Sequence, residues 1–241
     1  MRRILLPILT LALGLLAGPA LAQSFSVDLG NDTSLATRSI EILLLVTVLS
    51  IVPGLAVMVT CFPFIVTVLS ILRQALGLQQ SPPNMVLVSL ALFLTWFVMD
   101  PVFTEVWRTG VQPLTEGTID IEQAVPLVLA PFRVFLAGRT DPDTFAAIQA
   151  LRPGETGAAL NASLSLLIPS FMLSEISRAF EIGFLIYLPF LIIDLVVAAI
   201  LMSMGMMMVP PAVVSLPFKL AFFVVADGWT LISSALVRSY S

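Results

Sequence analysis

Three charged side chains, Asp194, Lys219 and Asp227, fall inside the two most apolar stretches near the end of the sequence. Charges at membrane depth are rare and costly, so they mark either function or pairing. A proton or ion path would use them as relays, whereas a structural pair would hold two helices together. In a helical hairpin turning at Pro210, Asp194 and Lys219 lie about 24 Å and about 13 Å from the turn. The sequence therefore predicts that Lys219 and Asp194 pair between protomers, not within one.

A second charged group follows helical spacing at the start of the same apolar region. Glu175, Arg178 and Glu181 are three residues apart and would form a short ion ladder on one helix face. The plain alternative is a solvated face that contributes a few tenths of a kcal/mol per pair. Because the group lies directly beside apolar runs, we interpret it as part of an interface between subunits.

Methionine is concentrated in the segment LMSMGMMMVPP, residues 201–211, which holds five of the ten methionines in the chain. Gly205 weakens a helix locally and the two prolines at 210–211 end it. Methionine is unbranched and adapts its shape to irregular partners. Apolar filling of a helix end is the simpler explanation, but so local a cluster favours a seal or gate. These methionines are Met202, Met204, Met206, Met207 and Met208.

No combination of residues in this sequence indicates an enzyme. The chain has no histidine and a single cysteine, Cys61, so the usual zinc, haem and iron–sulfur ligand sets are missing. A glycine-rich phosphate loop is also absent, and no carboxylate pair stands near a nucleophile. The net charge of −4 is not that of a nucleic-acid-binding surface. We expect a protein without catalytic activity, cofactor, metal or nucleic-acid partner.

Composition indicates the elements that must position these residues. Of 241 residues, 59% are hydrophobic and only 11% are charged, whereas soluble domains carry about 25% charged residues. No strand-like alternation extends beyond a few residues, so the fold class is all-α. The sequence predicts hydrophobic helical hairpins whose helices are kinked by proline, joined by a small helical module on the far side of the membrane.

The predicted order begins with a cleaved signal peptide over residues 1–22, with a basic start and small residues at Ala20 and Ala22. The alternative, a first transmembrane helix, has an apolar run short of the ~20 residues that a span needs. Cleavage would place the next residues and the polar module in the periplasm, although the positive-inside rule gives this orientation little support. The remaining boundaries are a polar lead-in (23–39), a first kinked hydrophobic hairpin (40–107), the polar helical module (108–168) and a second hydrophobic hairpin (169–241).

The sequence contains the segments PFLIIDLVVA at 189–198 and GMMMVPP at 205–211. These segments resemble the FliP family of flagellar type III export-gate proteins and their virulence-secretion relatives, and FPFIVTVLSILRQALGLQQSPPN at 62–84 resembles the first hairpin of that family. The resemblance implies a pentamer that joins FliQ- and FliR-type proteins in a helical cone, at the flagellar basal body in the bacterial inner membrane. It also implies that the apolar helices pack on one another, largely lifted out of the bilayer.

In that family the cone is the entry pore for unfolded export substrates, and a methionine loop forms a gasket around it. Carried over to this sequence, the gasket residues are Met206, Met207 and Met208, with Met204 as a second layer. A small-solute transporter or channel subunit is the alternative, and a structural membrane scaffold is a third class. A transporter should show an internal repeat, and none relates residues 40–107 to 170–237.

Overall fold

A computed structural model describes residues 35–78, 81–152, 154, 156–206 and 208–240. The predicted signal peptide lies outside the described residues. The chain divides into two units, Met1–Leu49 and Ser50–Ser241. The described part of the first unit is helical and exposes a run of apolar side chains that includes Leu43 and Leu44.

All regular structure in the described residues is helical, which confirms the all-α prediction. A short 3₁₀ helix covers Ala159–Asn161, and a π-helical segment, Trp107–Val111, continues directly from the third helix. The α-helices are α1 (Leu35–Met58), α2 (Phe62–Ala75), α3 (Asn84–Val106), α4 (Gln112–Thr115), α5 (Ile121–Arg139), α6 (Pro142–Ala150), α7 (Leu164–Ser203), α8 (Pro211–Val225) and α9 (Gly228–Arg238).

The core of the second unit is built around α2. One of its faces is fully buried and packs mainly against α7 and α3. Helix α7 comes especially close, because a Cβ added at Gly183 would lie 2.4 Å from the Cδ1 atom of Ile71. The glycine therefore sets the distance between α2 and α7. The buried face consists of Phe64, Ile65, Val68, Leu69 and Leu72.

Helix α6 in the middle segment begins with a local capping motif. The carboxylate of Asp141 accepts a hydrogen bond from the backbone N–H of Thr144 at 2.8 Å, and Pro142 is the first residue of α6. That hydrogen bond holds the pKa of Asp141 below its usual value. Helix α5 is continuous, although Pro126 and Pro131 lie inside it.

Three helical segments are long and apolar enough to cross a membrane: Asn84–Thr115, Ile121–Arg139 and Leu164–Ser203. The second of them lies within the segment predicted to be a polar module. The predicted fourth span is broken, because α8 and α9 meet at an angle of 62°. Asp227 at this break has a left-handed backbone (φ 46°), and a Cβ on Gly228 would lie 2.2 Å from the Phe223 ring.

Candidate functional site

The methionine-rich segment forms a tight turn between α7 and α8. Gly205 has a φ of +74° and donates its N–H to the carbonyl of Met202 at 3.1 Å. The N–H of Met206 donates a hydrogen bond to the carbonyl of Leu201 at 3.0 Å. These two bonds make a Schellman motif, in which a left-handed glycine closes the helix end. The helix therefore stops at Ser203, earlier than the predicted end at Val209.

The methionine side chains of this turn face outward. Met206 is 42% exposed and Met208 is 97% exposed, while Met202 and Met204 are also exposed. Met207 lies outside the described residues. Pro210 and Pro211 start α8 directly after the turn, so rigid elements hold it on both sides. The turn thus presents several flexible apolar methionine side chains at the surface of the chain.

Beneath the turn, Lys219 joins three helices. Its ammonium lies 2.6 Å from the Oδ2 atom of Asp194 on α7 and donates to the carbonyl of Ala75, the last residue of α2, at 3.0 Å. The hydroxyl of Ser215 donates to the other Asp194 oxygen at 2.5 Å. Lys219 is only 5% exposed. The buried cation therefore has an acid and a helix-end carbonyl as partners, the arrangement that a helix C-terminus favours.

This contact shows that the prediction of an exclusively intersubunit pair was wrong. The prediction measured both distances from Pro210, as if α7 continued to the prolines. In the structure α7 ends at Ser203 and α8 begins at Pro211, so the two helices face each other from these residues. Asp194 and Lys219 are then about 13 Å and about 12 Å from their helix ends, which is the same level. Asp227, the third charge of the apolar region, lies at the α8–α9 break.

A second buried ion pair connects α5, α7 and the segment after α9. Glu175 is fully buried, and its Oε1 atom accepts a hydrogen bond from Nε of Arg139 at 3.2 Å. Arg139 also donates to the carbonyl of Ser239 at 2.8 Å and lies over the Tyr240 ring, 4.0 Å from its centroid. The Tyr240 hydroxyl donates to the other carboxylate oxygen of Glu175. Every charge in the cluster is thus neutralised by a named partner.

The predicted ladder of Glu175, Arg178 and Glu181 does not form among the described contacts. Glu175 points into the core toward Arg139, while Arg178 is half-buried and Glu181 is exposed. Arg139 and Tyr240, the real partners, are 36 and 65 residues away from Glu175. No local spacing in the sequence signals contacts at that separation.

The described residues offer no group of three or more metal-ligating side chains. Burial raises the pKa of the Cys61 thiol to about 12, so this thiol stays protonated and unreactive near neutral pH. The arrangement supports a structural role. Its buried charges are neutralised within the chain, and the turn after α7 presents a set of apolar side chains.

Apolar helices of membrane-crossing length, together with buried charges paired inside the fold, define an all-helical membrane-embedded protein. The chain belongs to the FliP family, whose model matches residues 45–236. It is 49% identical over 232 residues to the flagellar biosynthetic protein FliP of Agrobacterium fabrum, covering 94% of this chain and 95% of that one. It is 46% identical to the Caulobacter vibrioides protein of the same name, covering 95% and 87%. The Bacillus subtilis protein of that name is 42% identical, covering 87% and 96%.

Proposed function

We propose that this chain is a pore-forming core subunit of the flagellar type III export gate, which conducts unfolded flagellar proteins across the inner membrane. Its membership of a family of flagellar biosynthetic proteins supports the flagellar role. The observation that carries the pore assignment is the methionine turn, in which exposed flexible side chains stand on a backbone fixed by the Gly205 closure.

In this proposal the turns of several copies meet around one axis and close the pore with methionine side chains. Met206, Met207 and Met208 form the seal, and Met204 forms a second layer. A narrow apolar ring resists wetting and so excludes ions. Methionine suits a seal that must also close around a moving chain, because it has three rotatable bonds and a soft sulfur.

The same proposal assigns the partners. Copies of this chain, five by the family resemblance, assemble with FliQ- and FliR-type proteins into a cone. The exposed apolar faces of α3 and α7, for example Phe93 on α3 and Ile192 on α7, are surfaces that such partners would cover. The segment 108–168 would lie on the periplasmic side.

The test is to replace Met206, Met207 and Met208 together with alanine in cells that carry the complete gate. Alanine leaves the Gly205 closure in place but removes the long side chains. We expect normal assembly, a raised permeability to ions and small solutes, and a smaller loss of flagellar protein export. A matched control replaces Met58, Met85 and Met202, which are exposed outside the proposed seal, and should show no leak.

Two results would contradict the proposal. A fully assembled triple variant without any leak would mean that the methionines are apolar filling and that the seal lies elsewhere. If a strain that lacks this chain still exports flagellar proteins, the chain is not a required part of the gate. In the alternative of a solute transporter, deletion would abolish uptake of one solute and leave flagella unchanged. The pairing of Lys219 with Asp194 speaks against that alternative, because a neutralised pair offers no vacant site for an ion.

A further inference from the structure

A groove of about 680 Å³ runs between α3 and α9 and belongs to neither the methionine turn nor the two ion pairs. On α3 it is lined by Leu90, Leu94 and Phe97, which follow helical spacing on one apolar face. Its opposite wall on α9 carries Trp229 together with shorter side chains such as Ser233 and Val237. An open, mainly apolar groove of this size is large enough for part of an acyl chain.

One end of the groove carries its sole charged lining residue, Arg238. The guanidinium donates to the Ser234 hydroxyl at 3.2 Å, and among the described residues no carboxylate lies within ion-pair distance of it. The chain as a whole is acidic, with a net charge of −4. An exposed cation that has no carboxylate partner among the described residues, at the mouth of an apolar groove, is complementary to an anionic headgroup.

The position of Arg238 along the helices agrees with contact to a lipid headgroup. Tyr240, two residues on, packs edge-on against Phe64 at the start of α2, where the Cys61 sulfur contacts the carbonyl of Thr95 on α3. Arg238 therefore lies near the level of Phe97. Asp100, less than one turn further along α3, is exposed to the surroundings. Asp100 is the first charged residue of α3, so a polar surrounding such as a headgroup layer suits this level of the helix.

We propose that this groove binds one anionic phospholipid, with its acyl chain between α3 and α9 and its phosphate on Arg238. The Ser234 hydroxyl accepts a hydrogen bond from Arg238 and donates its own to the carbonyl of Leu231, so it positions the guanidinium at the end of the groove. This site goes beyond export-gate function and does not depend on it. A lipid held in this way would cover apolar surface of α3 and α9 after the helices have packed into an assembly.

The test uses the full chain, purified in detergent and titrated separately with phosphatidylglycerol and phosphatidylcholine, with bound lipid counted by native mass spectrometry. We expect the anionic lipid to bind about fivefold more tightly, the preference that one arginine near a membrane surface supplies. Arg238→Gln should abolish the preference. The control, Arg152→Gln, makes the same charge change in the segment between α6 and α7 and should keep it.

A second variant tests the apolar part. Ser233→Leu fills the groove while leaving Arg238 in place, so it should weaken binding of both lipids. Equal binding of the two lipids to the unmodified chain would overturn the proposal, as would a preference that survives Arg238→Gln. If soluble glycerol phosphate displaces the bound lipid completely, Arg238 is a site for free anions and the lipid proposal fails. If Ser233→Leu disrupts oligomers without changing lipid binding, the groove belongs to a protein helix and the lipid proposal fails.

Discussion

The Lys219 ammonium and the Asp194 carboxylate lie 2.6 Å apart within a single chain, at matching levels of the hairpin formed by α7 and α8. The pair is fixed by the early end of α7 at Ser203, and Ala75 adds α2 to the contact. The ion pair therefore belongs to the fold of one protomer, directly beneath the methionine turn that we assign to the pore.

Removal of Lys219 alone should strongly destabilise the chain. Lys219→Met leaves Asp194 without its cation among apolar helices, at a cost of about 3 kcal/mol. The double variant Lys219→Met/Asp194→Leu should regain most of this loss, since an apolar pair of similar volume is often as stable as a buried ion pair. Thermal unfolding of the purified protein in detergent measures both effects.

Mixed oligomers separate a pair within the chain from a pair between chains. Chains carrying Asp194→Lys and chains carrying Lys219→Asp should fail to rescue each other when co-expressed, while the two changes in one chain should partly restore assembly. Rescue by the mixture would show that the charges meet across a subunit boundary.

Tyr240 should contribute more to stability than Tyr187, the other tyrosine of the chain. Tyr240→Phe keeps the ring contacts with Phe64 and Phe135 but leaves the buried Glu175 carboxylate without one hydrogen bond. The expected cost is about 1–3 kcal/mol. Tyr187→Phe is the matched control and should change little, and comparable losses in both variants would contradict the role of the Tyr240 hydroxyl.

Alkaline pH should destabilise the fold through the same hydroxyl. Burial, followed by the nearby Glu175 charge, raises the pKa of Tyr240 above its ordinary value of 10.0. Because the folded state favours the protonated phenol, this stability is complete below pH 10 and is lost as the pH rises above it. The Tyr240→Phe variant should show a shallower loss between pH 10 and the point of unfolding. An identical alkaline profile in both proteins would exclude Tyr240 as the cause.

The close approach of α7 to α2 predicts a specific coupling between two positions. Gly183→Ala should cost about 1–3 kcal/mol, because the new Cβ would lie 2.4 Å from Cδ1 of Ile71. Ile71→Val removes that atom, so the double variant should be more stable than the sum of the two single changes predicts. Gly138→Ala, at an open helical position, is the control and should be neutral or stabilising. Strict additivity of Gly183 and Ile71 would rule out the contact.

Local signals in the sequence were sufficient for much of the fold. Asp141 and Pro142 marked the start of α6, and long apolar runs marked the membrane-length helices. The end of α7 was also encoded, since Gly205 followed by two prolines is a helix-stop signal. Because the prediction extended α7 to the prolines, it placed Asp194 and Lys219 at different levels of the hairpin.

The Arg139–Glu175–Tyr240 cluster could not have been predicted in the same way. Its members are brought together by packing of α5, α7 and the segment after α9, and a single sequence carries no information on such distant pairs. The helix break at Asp227 was missed for a related reason. Aspartate is one of the few residues besides glycine that adopt the left-handed region, and the absence of a Cβ at Gly228 leaves room for the Phe223 ring, a contact that a single sequence does not show.

Helix α7 also fixes the distance between the two buried ion pairs. Glu175 and Asp194, the acids of the two neutralised clusters, stand on this one helix about 28 Å apart at 1.5 Å per residue. The hydrocarbon core of a bilayer is about 30 Å thick. A bilayer centred between the two acids would place each ion pair near one boundary of its hydrocarbon layer. In a thicker bilayer centred at the same level, both clusters would lie within the hydrocarbon, and hydrophobic mismatch would act first on the charges that hold the helices together.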